Sequence, residues 1–175
     1  LQDSFAELHN VGSVIFDLEG NPITSYSNFS EFCQIIRDTE AGLQSCVQSD
    51  KRLGRKVGRG EIGVTPCQNL SAIMDGAFPI IVQGQHVATW GIGQAVTGEV
   101  DEEEVRELAR KINVDEDKLV EASRKLERMS EEHFQEIIDF LSDIAHQMSL
   151  TALQNLQQTH LLSKSQQMEK QLGTA

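Results

Sequence analysis

The sequence predicts an α+β domain built on a five-stranded antiparallel sheet, with a helical insertion and with C-terminal helices that end in a coiled coil. Three observations lead to this prediction. Two short β-rich runs come first, apolar residues at helical spacing follow over 31–59, and strand-like segments return over 61–96. From Gly98 onward the pattern is helical. Short strands joined by turns pair most simply as antiparallel neighbours.

The first two predicted strands are residues 11–16 and 23–26. The segment between them is dense in turn formers, which predicts a β-hairpin. Within the first strand, Val14 and Phe16 share one face because side chains alternate along a strand.

The middle of the chain predicts two or three short helices followed by three strands. Phe32, Ile35 and Ile36 recur at helical spacing. The three later strand candidates are residues 62–66, 71–82 and 87–92, the last two joined by a turn at 83–85.

The last part of the chain predicts a long helix that Ser130 caps. Its apolar stripe advances in alternating steps of three and four, which is typical of a coiled-coil seam, and consists of Phe134, Ile137, Ile138, Leu141, Ile144, Ala145, Met148, Ala152, Asn155 and Leu162. Asn155 is the kind of polar seam residue that fixes register. We therefore expect a domain over residues 5–128 and a C-terminal helix and linker over residues 130–175, with a homodimer formed through the coil.

Composition excludes several classes of protein. The 175 residues carry a formal net charge of −12, and direct nucleic-acid binding needs a surplus of Lys and Arg. No apolar run approaches the ~18 residues that span a bilayer. The start at Leu1 has neither a basic region nor an apolar core typical of a signal peptide. We expect a cytoplasmic fragment of a longer protein that does not contact a membrane.

The sequence offers no recognisable catalytic constellation. It contains no phosphate-binding glycine loop and no Ser–His–Asp or Cys–His signature. The protein is therefore expected not to be an enzyme.

Three widely spaced cysteines, Cys33, Cys46 and Cys67, are the main chemical candidates. They lack the close pairing typical of zinc sites, and an odd count does not make a disulfide framework. Three interpretations stay open: buried core thiols, residues lining a ligand pocket, and a metal or iron–sulfur site. Arg37 lies one helical turn after Cys33 and is a candidate for a buried anion or carboxylate contact.

The second candidate is the run Gly91-Ile92-Gly93-Gln94, which follows the single Trp90. Glycines in a strand let a ligand or another backbone approach closely. The Gln94 amide offers both a donor and an acceptor to a small polar molecule.

These residues together resemble the PocR sensory domain, over about residues 8–145. The resemblance rests on Phe32-Cys33-Gln34-Ile35-Ile36-Arg37, Gly42, Cys46, Ser49-Asp50, Cys67, Leu70, Phe78-Pro79-Ile80, Gly84 and Gly91-Ile92-Gly93-Gln94. It implies a PAS-like sensory domain, as in bacterial transcription regulators, sensor kinases and cyclic-dinucleotide enzymes. It also implies sensing of a simple hydrocarbon derivative, such as a diol, alcohol or aldehyde. The expected ligand-binding residues are Cys33, Arg37, Cys46, Asp50, Cys67, Trp90 and Gln94.

One departure from the family pattern concerns the third cysteine. Many members have His directly after it, whereas this chain has Gln68, a poor ligand for a soft or borderline metal. The departure favours an organic ligand, while the cofactor stays undefined. The alternative is a metal or iron–sulfur sensor that uses Cys33, Cys46 and Cys67. In either case the C-terminal coil is expected to transmit the state of the sensory domain, with or without its ligand, to an output domain.

Overall fold

A computed structural model describes residues 1–58 and 62–172. Within them the chain forms six helices and four strands. In chain order these are α1 (Gln2–His9), β1 (Gly12–Phe16), α2 (Glu31–Arg37), α3 (Glu40–Val57), β2 (Gly63–Pro66), β3 (Ile73–Val82), β4 (Gln85–Val96), α4 (Glu102–Ile112), α5 (Glu116–Arg124) and α6 (Glu131–Leu172).

The four strands form one antiparallel sheet in the order β1-β4-β3-β2. A two-residue turn joins β3 to β4, and both of its residues, Gln83 and Gly84, have left-handed φ angles of 52° and 76°. Such turns match the natural twist of a hairpin, and Gly is favoured at these angles. The α+β class, the helical insertion and the three later strands are confirmed.

The fifth predicted strand does not form within the described residues. Residues 22–27 run beside β1 but make only the isolated bridges Ser13–Ser27 and Phe16–Pro22. The Ile15 N–H donates to the Thr24 hydroxyl at 2.9 Å instead of to a backbone carbonyl. This side-chain bond takes the place of a ladder bond, because Thr hydroxyls compete with the backbone for such partners. The prediction of five strands is therefore corrected to four.

The two faces of the sheet pack against different helices. On the α6 face, Phe78 and Trp90 are fully buried with Ile138 of α6. On the α3 face, Phe16 covers Gly91, and a Cβ at that position would lie 2.8 Å from the Phe16 ring. Val14 and Phe16 do share one face, as the alternation predicts, and line the space beneath α3.

Helix α6 has two environments. Phe134, Ile137, Ile138, Leu141 and Ala145 are buried in the core against the sheet. These five residues of the predicted seam are therefore core residues of the domain. Over residues 154–169 every residue is exposed, with Leu161 and Leu162 at 66% and 59% of their full exposure.

Candidate functional site

A cavity of about 60 Å³ lies between the α3 face of the sheet and helices α2 and α3. It brings together six of the seven predicted ligand-binding residues: Cys33, Arg37, Cys46, Asp50, Cys67 and Gln94. These residues come from four parts of the chain, namely α2, α3, the segment after β2, and β4. Their convergence makes this cavity the candidate site.

Trp90 does not line the cavity. It is 0% exposed on the α6 face, where Phe5 meets its ring edge-on at 6.1 Å. The indole Nε1–H donates to the Ser13 hydroxyl at 2.7 Å, and Ser13 itself does line the cavity. Because strand residues alternate between faces, Trp90 and its neighbour Gly91 point in opposite directions. The contact of Trp90 with the site is thus indirect, through Ser13.

A β-bulge aims Gln94 at the site. Between the paired positions Met74–Ala95 and Gly76–Ile92, β4 has Gly93 and Gln94 where β3 has only Asp75. The extra residue in a bulge re-aims a side chain, and Gln94 adopts a left-handed φ of 68° that is uncommon for a non-glycine residue. Strain of this kind is held in place by surrounding structure and concentrates at functional sites.

Two contacts fix the Gln94 amide. Its Oε1 accepts a hydrogen bond from the Ser30 backbone N–H at 2.6 Å. Its Nε2 passes so close to Gly12 that a Cβ there would lie only 2.3 Å away. Ser30 is also the N-cap of α2, where its hydroxyl accepts from the Cys33 N–H at 3.3 Å. Gln94 thereby links the sheet to the start of the helix that carries Cys33.

The glycines of β4 make room for protein side chains. A Cβ at Gly93 would lie 2.1 Å from Asp75 Oδ1, and a Cβ at Gly91 would meet Phe16. The sequence pattern predicted close approach at these glycines. The structure shows that the groups approaching closely are Asp75 and Phe16, which form the floor of the cavity.

Helical spacing places the polar residues of α2 and α3 in pairs. Cys33 and Arg37 lie four residues apart on α2, and Cys46 and Asp50 lie four residues apart on α3. Residues at this spacing share one helix face. Both faces turn towards the cavity, so each helix contributes one thiol and one charged group.

Arg37 and Asp50 form the ion pair of the site. Arg37 Nη2 donates to Asp50 Oδ2 at 3.0 Å, and Nη1 donates to the Tyr26 hydroxyl at 2.8 Å. The guanidinium also lies 4.6 Å from the Tyr26 ring centre and 5.2 Å from that of Phe29. Burial alone would lower the pKa of Arg37, but Asp50 opposes it and the net pKa is raised. Burial raises the pKa of Asp50, although Arg37 acts against this.

Asp75 is a second acid in the cavity, and sequence reasoning missed it. Burial, followed by the nearby Asp50 charge, raises the pKa of Asp75 to about 7, although the Cys67 thiol and the Gln94 backbone N–H lower it. The available signal was a single Asp inside the otherwise apolar run over 71–82, because an acid in a buried strand needs a specific reason.

The three thiols are neutral at physiological pH. Burial is the largest cause in each case, and it raises the pKa of Cys33 to about 12, that of Cys46 to about 11 and that of Cys67 well above its ordinary value. Metal binding and nucleophilic attack both use the thiolate. Over residues 1–58 and 62–172, no group of three or more His, Cys, Asp or Glu side chains is placed to hold a metal ion. The alternative based on three cysteine ligands therefore has no preformed group in this part of the chain.

Asn69 and Ser49 also line the cavity. Sequence reasoning did not single out Asn69, and it used Ser49 only as part of the resemblance. Asn69 Oδ1 accepts from the Ser45 hydroxyl at 2.6 Å, and its Nδ2 lies 3.4 Å from Cys46 Sγ. Gln68, the position that departs from the family pattern, is exposed, whereas Asn69 beside it is buried. The residue that reaches the cavity is thus one position further along the chain.

The lining combines apolar walls with converging polar groups. Val14, Phe16, Phe29 and Leu53 supply apolar surface. The amides, hydroxyls and carboxyls described above supply hydrogen-bond donors and acceptors. Small-molecule sites have this composition, in which a few placed polar groups fix the orientation of a ligand. The volume is below that of a cavity that holds benzene, about 150 Å³, so the arrangement suits a molecule of only a few non-hydrogen atoms.

Comparison with known proteins agrees with the resemblance seen in the sequence. None of the curated proteins matches the chain. In the described part of the chain, no helix is both long and apolar enough to cross a membrane. The family model described as the sensory domain found in PocR matches residues 1–153. Because that match covers most of the 175 residues, the chain belongs to the PocR sensory domain family.

Proposed function

We propose that this chain is the ligand-binding sensory unit of a signalling protein, and that its cavity binds a simple hydrocarbon derivative such as a diol, alcohol or aldehyde. The observation that carries the proposal is the cavity itself, in which residues from four chain segments converge on a space of about 60 Å³. Its amide and carboxyl groups suit hydroxyl or carbonyl groups, and its apolar walls suit a short carbon chain.

The role we propose is sensing without catalysis. A catalytic Cys needs a lowered pKa or an adjacent base, whereas burial raises the pKa of all three thiols here. The groups around the cavity are arranged to hold a molecule, and the proposal assigns them no bond-breaking step.

The proposed output path runs through β3 and α6. Asp75 of β3 lines the cavity on one face, and the next residue, Gly76, packs against Ile138 of α6 on the other, with a Cβ at Gly76 only 2.9 Å from Ile138. Further along, the Ile81 N–H donates to the Ser149 hydroxyl of α6 at 3.1 Å. A ligand can shift α6 only through different affinities for two states of the domain. Movement of β3 is the shortest physical route to such a shift.

We also propose that the exposed half of α6 pairs in a dimeric coiled coil that leads to an output domain. Leu156, Leu161, Leu162 and Met168 expose large apolar side chains there. A helix with exposed apolar residues becomes stable by pairing. The buried part of α6, which includes Phe134 to Ala145, then continues directly into the signalling part of the helix.

Calorimetric titration with small diols, alcohols and aldehydes tests the ligand-binding proposal. We expect at least one compound to bind the native chain and to fail to bind Ser49→Leu, in which the larger side chain fills the cavity. Ser4→Leu, on the exposed side of α1, is the matched control and should bind normally. No binding by any compound, or equal binding by both variants, would refute the proposal.

Sedimentation equilibrium tests the proposed dimer. Leu162→Glu places a charge on the exposed stripe and should weaken dimerisation by at least tenfold. Gln157→Glu, exposed on the side of α6 away from Leu162 and Asn155, adds the same charge as a control. A native chain that stays monomeric at high concentration would rule the dimer out.

A further inference from the structure

Asp75 is the charged group of the cavity that has no cationic partner among the described residues. The guanidinium of Arg37 is bound to Asp50 at 3.0 Å and to the Tyr26 hydroxyl at 2.8 Å. Among the residues that the structure describes, Asp75 makes no salt bridge. Its carboxylate lies over Gly93 and lines the same cavity as the ion pair.

The charge balance of the cavity follows from the groups that face it. Helix α2 contributes Arg37 and helix α3 contributes Asp50, and these two charges cancel. The thiols of Cys33, Cys46 and Cys67 are neutral because burial raises their pKa values. When Asp75 is ionised, the cavity therefore carries one uncompensated negative charge. An isolated buried charge is costly unless it is paired.

Neutral polar groups line the cavity together with Asp75. Gln94 comes from the same bulge, and Asn69 and Ser49 lie elsewhere on the cavity wall. Their amide and hydroxyl groups donate and accept hydrogen bonds. In the described part of the chain, the site thus combines one carboxylate that makes no salt bridge with neutral groups that suit a hydroxyl.

We propose that Asp75 determines the specificity of the cavity by selecting a small amino alcohol, whose ammonium group binds the Asp75 carboxylate while its hydroxyl binds the neutral polar groups. The inference rests on the proposed function, in which the cavity binds a small alcohol, and it names the class of alcohol. A neutral diol of equal size leaves the carboxylate without a countercharge. An ammonium group supplies that charge and donates charge-assisted hydrogen bonds, which are about twice as strong as neutral ones.

Binding of an ammonium group requires the ionised carboxylate, so it depends on pH. Because burial and the Asp50 charge raise the pKa of Asp75 to about 7, the ionised fraction rises about tenfold between pH 6 and pH 8. An aliphatic ammonium group stays protonated in this range, as the Lys side chain does with a pKa of about 10.4. The affinity for an amino alcohol should therefore rise about tenfold from pH 6 to pH 8. The affinity for a diol should not follow this curve.

Isothermal titration calorimetry with ethanolamine and ethylene glycol tests the proposal, because the two molecules differ only in the exchange of an amine for a hydroxyl. For the native chain at pH 8 we expect ethanolamine to bind at least tenfold more tightly than ethylene glycol. Asp75→Asn keeps the shape of the side chain and should abolish this preference and its pH dependence. Asp143→Asn, on the exposed surface of α6, is the matched control and should change neither.

The outcomes separate this inference from the function on which it rests. Binding of ethylene glycol as tightly as ethanolamine would overturn the role of Asp75 and leave a diol sensor intact. A preference for ethanolamine that survives in Asp75→Asn would also overturn it. If neither compound binds, nor any member of the wider alcohol and aldehyde panel, both proposals fail. Circular dichroism of Asp75→Asn verifies that a loss of binding does not come from unfolding.

Discussion

The two faces of the sheet differ in the residues that strand β4 contributes to them: large apolar residues on one face and glycines on the other. On β4, Trp90 and Ile92 point to the α6 face, where they are buried among large apolar side chains. Gly91 and Gly93 point to the α3 face, where Phe16 and Asp75 occupy the space that larger side chains would take. The period of two along a strand separates these roles residue by residue.

The difference shows how one small sheet serves both stability and binding. Dense apolar packing on the α6 face contributes to the free energy of folding. The α3 face instead carries a polar cavity with two acids, and burial raises the pKa values of both. Burying such groups reduces the stability of the fold. Substitutions on the two faces should therefore differ in what they change.

The largest expected effect is on the α6 face. Trp90→Ala removes the largest fully buried side chain and its hydrogen bond to Ser13, and should lower the free energy of unfolding by about 3–5 kcal/mol. Ser49→Ala on the cavity side should cost less than about 1 kcal/mol. Urea denaturation measures both. Equal losses would contradict the division of roles between the faces.

The next effect concerns the ion pair at the cavity. Arg37→Met leaves Asp50 without its cation and should cost about 2–3 kcal/mol, less than for a fully buried pair because both side chains keep some exposure. The double variant with Asp50→Asn should recover most of this loss, since it removes the unpaired charge. A double variant less stable than Arg37→Met alone would show that the pair is not the cause.

A smaller effect distinguishes two glycines. Gly93→Ala places a methyl group 2.1 Å from Asp75 Oδ1, which must move, and should cost about 1–3 kcal/mol together with ligand affinity. Gly98→Ala places its methyl group at an ordinary contact distance of 3.7 Å and should change stability by less than about 0.5 kcal/mol. Thermal unfolding of the two variants compares them directly. A Gly93→Ala chain with native stability and native binding would contradict the close packing of the bulge.

The smallest effect is the pH dependence of stability that Asp75 contributes. Burial raises the pKa of Asp75 from 3.8 to about 7, so the folded state binds more protons than the unfolded state between these values. The contribution of Asp75 to the free energy of unfolding therefore falls as the pH rises from about 4 to about 7. Between pH 6 and pH 8, the native chain should lose about 1 kcal/mol more than Asp75→Asn. If the free energy of unfolding has the same pH dependence in the two chains, the raised pKa of Asp75 is contradicted.

Much of the site was predictable, because helical spacing is visible in a short stretch of sequence and the resemblance adds matching residues elsewhere in the chain. The spacing of Cys33 and Arg37 places them on one face of α2. The residue types alone also marked Cys46, Cys67 and Gln94 as candidates, and the resemblance adds Asp50. All of them line one cavity in the structure. Their role in ligand binding stays a prediction.

The remaining features depend on strand geometry that local patterns do not reveal. The prediction that Trp90 binds the ligand ignored the alternation of side chains along a strand, which points Trp90 away from the face of Gly91 and Gly93. Asp75 lay hidden within an apolar run, and its position over Gly93 depends on a bulge between two strands. Residues 22–27 pair with β1 only through isolated bridges, and the Ile15 N–H donates to the Thr24 hydroxyl there. Such tertiary contacts override local propensity.

The most direct test of the central claim is where a bound ligand lies. Intermolecular nuclear Overhauser effects between an amino alcohol or diol and the methyl groups of the native chain measure this proximity. The account predicts contacts with Val14 and Leu53, which line the cavity, and none with Ile138 or Leu141 on the α6 face. Contacts confined to the α6 face, or binding without any contact to Val14 and Leu53, would contradict it.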